Sequence, residues 1–315
     1  MGNLVNVQSL LGVQSVLVRP IVTVGLTSLL FGLYALLFTL SFYLLWTHQN
    51  AINRRLHLIS VVCLFVMATG ISLVAAANDV SDSLVFFHTV QTQDMVSFRA
   101  YLAGSPTKRG LSGTVYVGYA LTNCIGDFVL IHRLYTIWGT NKRLVIAFPI
   151  MASVLSNAFG LAVGIMQNVQ FIIDNVEFMA SVADCRLGYY IANAVTNSMV
   201  TLMLAGRIWW AAQDTHVTGS GCLQRNNIHP EFRAIIAMIL ESGVMYPTVL
   251  VVHVALVYNA SAIGVPVNFT PVIILFAGIA PTSIILLTNI KQYLWKCQPE
   301  GKSLSLQSES MGVKE

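Results

Sequence analysis

Charged side chains are scarce in this sequence: 10% of its residues are Asp, Glu, Lys or Arg, while 56% are hydrophobic. A water-soluble domain carries about 25% charged residues, which cover its surface. The shortage therefore excludes an ordinary soluble protein. It also excludes a nucleic-acid-binding surface, because no run of basic residues is longer than two, as at Arg54 and Arg55.

Cysteine pairs and the common catalytic motifs are missing as well. The five Cys residues include no Cys-x-x-Cys pair, and none lies near a His with metal-ligand spacing. Neither HExxH nor GxSxG occurs. We therefore expect a protein that is not an enzyme and binds no cofactor. A retinal Schiff base is disfavoured too, because the last apolar segment contains no Lys before Lys291.

The sequence contains instead seven long apolar segments separated by shorter polar ones. Each can cross a hydrocarbon core of about 30 Å as a helix that rises about 1.5 Å per residue. We predict an all-α membrane protein, with a bundle of seven transmembrane helices between residues 21 and 290. The predicted spans are residues 21–46, 56–77, 113–138, 144–166, 189–212, 234–258 and 269–290.

The distribution of Lys and Arg predicts the orientation of this bundle. Twelve of the 17 Lys and Arg residues lie on the side of the tail and the loops after spans one, three and five. Because cytoplasmic loops carry the excess of positive charge, that side is predicted to be cytoplasmic. The N-terminal segment 1–20 is then outside. The tail 291–315 is expected to be a disordered cytoplasmic segment, and the plasma membrane is the expected location.

Candidate modification sites agree with this orientation. Asn259 and Asn268 begin the two N-x-[ST] sequons, and both fall in the loop after span six, which is predicted to be outside. They are candidate N-glycosylation sites, although sequons also arise by chance and this loop is short. Cys297 follows span seven on the cytoplasmic side and is a candidate palmitoylation site.

Two outer segments are candidates to cover or admit a ligand. Residues 78–112 are predicted to be a long loop. Its apolar stretch 84–102 is interrupted by Asp94 and Arg99, which favours an interfacial helix over a further span. The loop after span four is acidic, with Asp174, Glu177 and Asp184.

Four ionisable residues lie inside predicted spans, where a charge is costly and therefore indicates function. Asp127 lies near the middle of span three, while Arg133, Arg207 and Glu241 lie in the cytoplasmic half of spans three, five and six. One hypothesis is an ionic switch, in which Glu241 pairs with Arg133 or Arg207 until span six tilts at Pro247. The alternatives are a permanent salt bridge, or arginine side chains that reach the lipid headgroups.

Polar side chains form two rows within the spans. Asn123 and Asp127 are four residues apart in span three, and so are Asn193 and Asn197 in span five. Residues four apart share a helix face, and amide groups are not left facing lipid. We therefore predict that both rows face the interior. They are candidates to line a ligand pocket or a hydrated relay, and interhelical hydrogen bonds are the simpler alternative.

Proline occurs in the middle of two spans. Pro247 in span six and Pro281 in span seven are predicted to kink their helices. These prolines do not pair between the two halves of the chain, whereas inverted-repeat transporters usually show matching interrupted helices. His253 in span six is interpreted as a buried interior histidine and not as a ligand.

Three stretches carry a family resemblance: DFVLIHRLYTIWG at 127–139, GRIWW at 206–210 and ESGVMY at 241–246. They resemble a large group of uncharacterised, receptor-like seven-transmembrane proteins of mushroom-forming (basidiomycete) fungi. The resemblance covers the seven spans, and it implies the topology and no particular activity. Similarity to fungal pheromone receptors and to rhodopsin-like receptors is limited to the number of helices.

These features favour a receptor-like protein that senses an extracellular ligand, with a heterotrimeric G protein as the candidate partner. The N-out orientation, the basic cytoplasmic loops, the kinked spans and the intramembrane charges support this interpretation. A small-solute or proton-linked transporter or channel, with Asp127 as the proton or cation site, is the main alternative. A membrane scaffold that binds partners without a ligand is the third.

Overall fold

The chain is almost entirely helical in the part that the computed structural model describes, which comprises residues 14–47, 54–102, 105–138, 143–170, 176–214, 230–259 and 267–296. A π-helical turn, Gln14–Val18, leads into the first α-helix. The α-helices of these ranges are α1 Arg19–Thr47, α2 Arg54–Thr92, α3 Met95–Leu102, α4 Pro106–Trp138, α5 Arg143–Val169, α6 Val176–Asp214, α7 Pro230–Tyr258 and α8 Thr270–Lys296.

Five helices in the described part of the chain are long and apolar enough to cross a membrane. They are α1 with the turn before it, α2, α4, α5 and α8. In α7 the stretch Ser242–Tyr258 is also apolar, but it is shorter than these five helices. The protein is therefore an all-helical, multi-pass membrane protein, as the scarcity of charge predicts.

The seven long helices close into a ring. Helix α1 packs against α2, and in the series α4, α5, α6 and α7 each helix packs against the next. Helix α8 packs against both α7 and α1. Two helices also reach across the ring, because α8 contacts α2 and α4 while α4 contacts α6. The most apolar window of α8 is 78% buried inside the protein, against 22% for α1. The centre of the bundle is thus built around α8 and α4, and α1 presents most of its apolar surface outward.

A glycine sets how closely α8 approaches α1 and α2. A Cβ atom added to Gly278 would lie 2.5 Å from the hydroxyl oxygen of Tyr34 on α1 and 2.9 Å from the Cβ of Ala68 on α2. Tyr34 and Ala68 are both fully buried. Between helices in a lipid environment, close backbone approach at small residues supplies much of the packing energy. Gly278 therefore allows α8 to occupy the centre of the bundle.

The prediction of a long loop at 78–112 is wrong, because most of this segment is helical. Helix α2 has 39 residues, and its length of about 58 Å exceeds a hydrocarbon core of about 30 Å. Two acidic residues of this segment are paired with cations on other elements. Arg19 Nε lies 3.4 Å from Asp79 Oδ1, and Lys108 Nζ lies 2.8 Å from Asp82 Oδ1. Paired carboxylates allow the helix to continue past the apolar segment.

A reversal of the chain separates α2 from the short helix α3. Gln93 adopts a left-handed conformation with φ of 58°. The next residue, Asp94, caps α3: its Oδ1 accepts hydrogen bonds from two backbone amides of the first turn, at 3.0 and 3.1 Å. Hydrogen bonds from the hydroxyl and the amide of Ser97 lower the pKa of Asp94. Phe98 of α3 then packs edge-on against Phe86 of α2, with ring centroids 5.6 Å apart. A helix is thus present where the sequence predicts an interfacial one.

Other predicted boundaries shift in the same direction, towards longer helices. The acidic loop after span four is partly wrong, because α6 begins at Val176 and includes Glu177 and Asp184, while Asp174 lies outside the described residues. Arg186 ties this extension to α4, since its Nη1 donates a hydrogen bond to Tyr116 Oη over 2.9 Å. Helix α8 continues to Lys296, six residues into the segment predicted to be a disordered tail.

Candidate functional site

Asp127 is an acidic side chain in the interior of the bundle. It lies on α4 and is 3% exposed. Its Oδ2 accepts hydrogen bonds from Ser153 Oγ at 2.7 Å and from Asn157 Nδ2 at 2.9 Å, both on α5. Ser153 and Asn157 are four residues apart, so one face of α5 presents both donors. In the described part of the chain, Asp79 and Asp82 form ion pairs, whereas the hydrogen-bond donors to Asp127 are neutral side chains.

Asn123 lies one helical turn from Asp127 and joins three helices. Its Oδ1 accepts a hydrogen bond from Tyr246 Oη of α7 at 2.6 Å, and its Nδ2 donates to Tyr189 Oη of α6 at 3.2 Å. The prediction that Asn123 and Asp127 face the interior is confirmed, because both side chains are buried. The amide of Asn123 works as an interhelical hydrogen-bonding group between α4, α6 and α7.

Asn193 and Asn197 of α6 extend the same network. Asn193 Nδ2 donates to Tyr246 Oη at 2.8 Å and to Tyr119 Oη at 3.3 Å. Asn197 Nδ2 donates to Asn193 Oδ1 at 2.8 Å. Both amides are buried, as predicted. Because a hydroxyl has one proton, and Tyr246 gives its proton to Asn123, the contact of 2.8 Å between Tyr119 and Tyr246 requires Tyr119 as the donor.

A small cavity lies beside this network, between α4, α6, α7 and α8. Its polar lining includes Asn123, Asp127, Asn197 and Thr201. About 10 Å³ of the space is open to the centre of a water molecule, and that is close to the room that one water molecule requires. The rows of polar residues therefore both form interhelical hydrogen bonds and line a polar cavity.

One mid-helix proline, Pro281, lines this cavity, and the other, Pro247, follows Tyr246, which also lines it. Pro247 lies inside α7 and Pro281 lies inside α8. A proline has no amide hydrogen, so the carbonyl oxygen four residues earlier loses its usual helical hydrogen bond. The residues concerned are Gly243 and Ala277, and both line the cavity. A carboxylate, amides, a hydroxyl and the two residues with such carbonyl groups thus lie around one small space.

Three residues of the predicted charge switch, Asp127, Arg133 and Arg207, contact different parts of the bundle. Arg133 Nη1 donates a hydrogen bond to the carbonyl oxygen of Ile284 on α8 at 2.9 Å. The guanidinium carbon of Arg207 lies 5.6 Å from the ring centroid of Trp138. Asp127 is bonded to α5, as described above. The side chain of Glu241 lies outside the described residues, so its pairing with Arg133 or Arg207 stays a prediction.

The two sequon asparagines differ in their surroundings. Asn268 precedes α8 and caps it, because its Oδ1 accepts the Thr270 amide hydrogen bond at 3.0 Å. Its Nδ2, the atom to which a glycan would be attached, donates to Asp79 Oδ1 of α2 at 3.4 Å. Asn259 lies at the end of α7, and its side chain is exposed. The structure thus leaves Asn259 more accessible than Asn268.

The remaining sequence predictions concern cysteine and histidine. Cys297, the candidate palmitoylation site, lies outside the described residues. His253 is buried and stacks edge-on against Tyr190, with ring centroids 4.8 Å apart. The interpretation of His253 as an interior residue is confirmed.

Sequence reasoning missed the tyrosines and the donors on α5. The residues concerned are Tyr119, Ser153, Asn157, Tyr189 and Tyr246. The spacing of Ser153 and Asn157, four residues apart within an apolar span, is a signal of the same kind as the rows on spans three and five. The tyrosines gave no such signal, because a phenol ring is common in apolar segments and its hydrogen-bonding role depends on its neighbours.

No protein-family model, curated protein or solved structure matches this chain. The resemblance to the basidiomycete group stays a prediction.

Proposed function

We propose that this chain is a receptor-like, seven-transmembrane protein of a fungal plasma membrane. Its N-terminus is outside, and it transmits the binding of an extracellular ligand to a heterotrimeric G protein. The observation that supports this most is the position of Tyr246. This residue precedes Pro247 on α7, and its hydroxyl is bonded to Tyr119 and Asn123 of α4 and to Asn193 of α6.

The count of seven spans rests on adding α6 and α7 to the five helices named above. Helix α6 has 39 residues and α7 has 29, and either length exceeds the roughly 20 residues that a span needs. The mean hydropathy of α6 is lowered by Asn193, Asn197 and Thr201, and these side chains are buried within the bundle. Interior polar groups lower the hydropathy of a helix without placing those groups in lipid.

The proposed output is a movement of α7 relative to α4 and α6. Because Pro247 has no amide hydrogen to donate, α7 lacks one backbone hydrogen bond and bends more easily at that point. Neutral hydrogen bonds between transmembrane helices contribute only about 0.6 kcal/mol each on average, so the bonds of Tyr246 can be exchanged at modest cost. A ligand that favours one arrangement by about 5.5 kcal/mol would convert a minor state into the major one.

A transporter or channel is the second candidate, and the observation in its favour is the buried carboxylate of Asp127 beside a polar cavity. That cavity has room for about one water molecule. Solute transport would require it to connect with both sides of the membrane in turn. A scaffold without a ligand has no feature of the site in its favour.

The test is capture of a G-protein α subunit with the tagged protein, purified from native membranes in mild detergent. Capture that a non-hydrolysable GTP analogue releases would support the receptor. The substitution Tyr246→Phe should change the captured amount, whereas Tyr258→Phe, at a residue that is 78% exposed, should not. An absence of capture, together with solute flux in vesicles that Asp127→Asn abolishes, would replace the receptor by a transporter.

A further inference from the structure

We propose that the cavity beside Asp127 binds one monovalent cation of the size of Na⁺, with the Asp127 carboxylate as its charged ligand. The cation would be held by oxygen atoms from α4, α6, α7 and α8. This inference concerns binding alone. It holds whether the protein signals or transports, and its test involves neither activity.

No cationic side chain pairs with the carboxylate of Asp127 in the described part of the chain. A carboxylate inside a membrane protein is stabilised by a cation, by a proton or by hydrogen bonds. Ser153 and Asn157 both donate to Oδ2 of Asp127, and both are neutral. Hydrogen bonds from neutral donors stabilise a buried charge only in part. The cavity on the α6 and α8 side of Asp127 offers the place where a cation would complete the compensation.

Hydrogen bonds fix the orientation of the side-chain amide of Asn197. Its Nδ2 donates to Asn193 Oδ1 at 2.8 Å and to the Asn193 carbonyl oxygen at 3.2 Å. Asn197 also hydrogen-bonds to Asp127, and because a carboxylate only accepts, the nitrogen side of the amide is occupied by Asn193 and Asp127. The Oδ1 atom remains as an acceptor, and Asn197 lines the cavity. One turn further on, Thr201 lines the cavity as well and adds a hydroxyl oxygen.

The prolines leave two backbone carbonyl groups without their usual helical hydrogen bonds. Pro247 cannot donate to the carbonyl of Gly243, and Pro281 cannot donate to that of Ala277. The Ala277 carbonyl oxygen lies close to α4, because a Cβ atom added to Gly126 would be 3.5 Å from it. Both Gly243 and Ala277 border the cavity. Carbonyl oxygens released in this way are ligands for a hard cation at membrane depth.

The charge and the size of the site select the ion. All of the ligands are oxygen atoms, which hard cations prefer to nitrogen or sulfur ligands. One carboxylate neutralises a monovalent cation, but a divalent cation would leave a net positive charge inside the membrane, and that is costly. Ca²⁺ takes about 6 to 8 oxygen ligands, and Mg²⁺ usually keeps several waters. Neither fits a space with room for about one water molecule.

The cation would stabilise one arrangement of α7 and α8. Its ligands would include the carbonyl groups next to Pro247 and Pro281, at the points where those helices bend most easily. A cation that binds this arrangement and no other stabilises it. At concentrations above Kd, the free energy of stabilisation grows with the logarithm of the ratio of the cation concentration to Kd.

The experiment measures thermal unfolding of the full-length protein in mild detergent. NaCl is replaced stepwise by N-methylglucamine chloride at constant ionic strength, and KCl is titrated in parallel. We expect a saturable rise of Tm with Na⁺ that is larger than the rise with K⁺. Asp127→Asn should abolish the dependence on Na⁺. Asp79→Asn is the matched control: Asp79 is also 3% exposed but pairs with Arg19, so this variant should keep the Na⁺ dependence.

A second variant covers the case in which Asp127→Asn does not fold. Thr201→Val keeps the shape of the side chain and removes one oxygen ligand, so it should raise the Na⁺ concentration of half-maximal effect roughly tenfold. A wild-type Tm that is the same in Na⁺ and in N-methylglucamine would overturn the proposal. So would a Na⁺ dependence that survives Asp127→Asn. Either result would mean that Asp127 is compensated by a proton or by hydrogen bonds alone.

Discussion

Tyr246 on α7 donates its hydroxyl proton to Asn123 Oδ1 on α4 over 2.6 Å. The same oxygen accepts hydrogen bonds from Asn193 and Tyr119, so all the hydrogen-bonding capacity of the hydroxyl is used. The residue after Tyr246 is Pro247, where α7 has one backbone hydrogen bond fewer. The point at which α7 bends most easily is therefore also the point at which it is tied to α4 and α6.

Removal of the Tyr246 hydroxyl should loosen this connection. Tyr246→Phe leaves Asn123 Oδ1 without its donor inside the bundle, and we expect a loss of about 1 to 2 kcal/mol in stability. The measurement is thermal unfolding of the purified protein in detergent. Tyr258→Phe is the control, since that side chain is 78% exposed. Equal unfolding temperatures for the two variants would contradict an energetic role for the network.

The close approach of α8 to its neighbours makes a second prediction. Gly278→Ala would place a methyl group 2.5 Å from the Tyr34 hydroxyl oxygen and 2.9 Å from the Ala68 Cβ. Overpacking of this kind costs about 1 to 3 kcal/mol. Gly25→Ala on α1 is a matched control, because a Cβ atom there would meet nothing within 4 Å. We expect a lower Tm for Gly278→Ala and no decrease for Gly25→Ala, and a reversed order would argue against the central position of α8.

The sequence predicted the helical elements and the inward-facing polar positions better than the partners of those positions. Apolar segments longer than a span indicate helices, and a spacing of four places Asn123 with Asp127 on one face. The partner of Asp127 depends on the rotation of α5 about its axis, which spacing within α4 does not reveal. Asp127 was therefore grouped with Arg133 and Arg207, whereas its hydrogen-bond donors are Ser153 and Asn157.

The prediction for the C-terminal part of α2 is wrong for a related reason. The apolar segment ends at residue 77, so a loop is predicted from residue 78, but α2 continues through Asp79 and Asp82. Their cationic partners, Arg19 and Lys108, come from distant parts of the chain. A pattern within a window of a few residues cannot include such partners. Tertiary pairing thus stabilises a helix beyond the point where the local apolar segment ends.

The two sequons should differ in glycosylation. Asn259 is exposed and its Nδ2 is bonded only within its own helix, to the Ala255 carbonyl oxygen, whereas Asn268 is half-buried and its Nδ2 is bonded to Asp79 of another helix. We expect the protein from native membranes to lose one mobility shift with Ser261→Ala, which removes the first sequon. Thr270→Ala, which removes the second sequon and leaves Asn268 in place, should cause no change. Treatment with a peptide N-glycosidase reports the shift, and a shift that depends on Thr270 would contradict the prediction.

The docking of α3 onto α2 should depend on Asp82. Its Oδ1 accepts a hydrogen bond from Tyr101 Oη at 2.7 Å and pairs with Lys108 Nζ at 2.8 Å. Asp82→Ala removes both contacts and Asp82→Asn only the ion pair, so tryptic cleavage at Arg109 should become faster in the order wild type, Asp82→Asn, Asp82→Ala. Ser81→Ala is the control, because Ser81 bonds within its own helix, to the carbonyl of Ala77.

The same digestion tests the proposed orientation. With the N-terminus outside, α3 and Arg109 lie on the outer side of the membrane, so trypsin added to intact cells should cleave there. Permeabilised cells should show additional cleavage at basic residues of the cytoplasmic loops, such as Arg225. If Arg109 is cleaved only after permeabilisation, the orientation is reversed. A ligand would then approach the cavity beside Asp127 from the cytoplasmic side, and the receptor proposal would lose the feature that makes an extracellular ligand accessible.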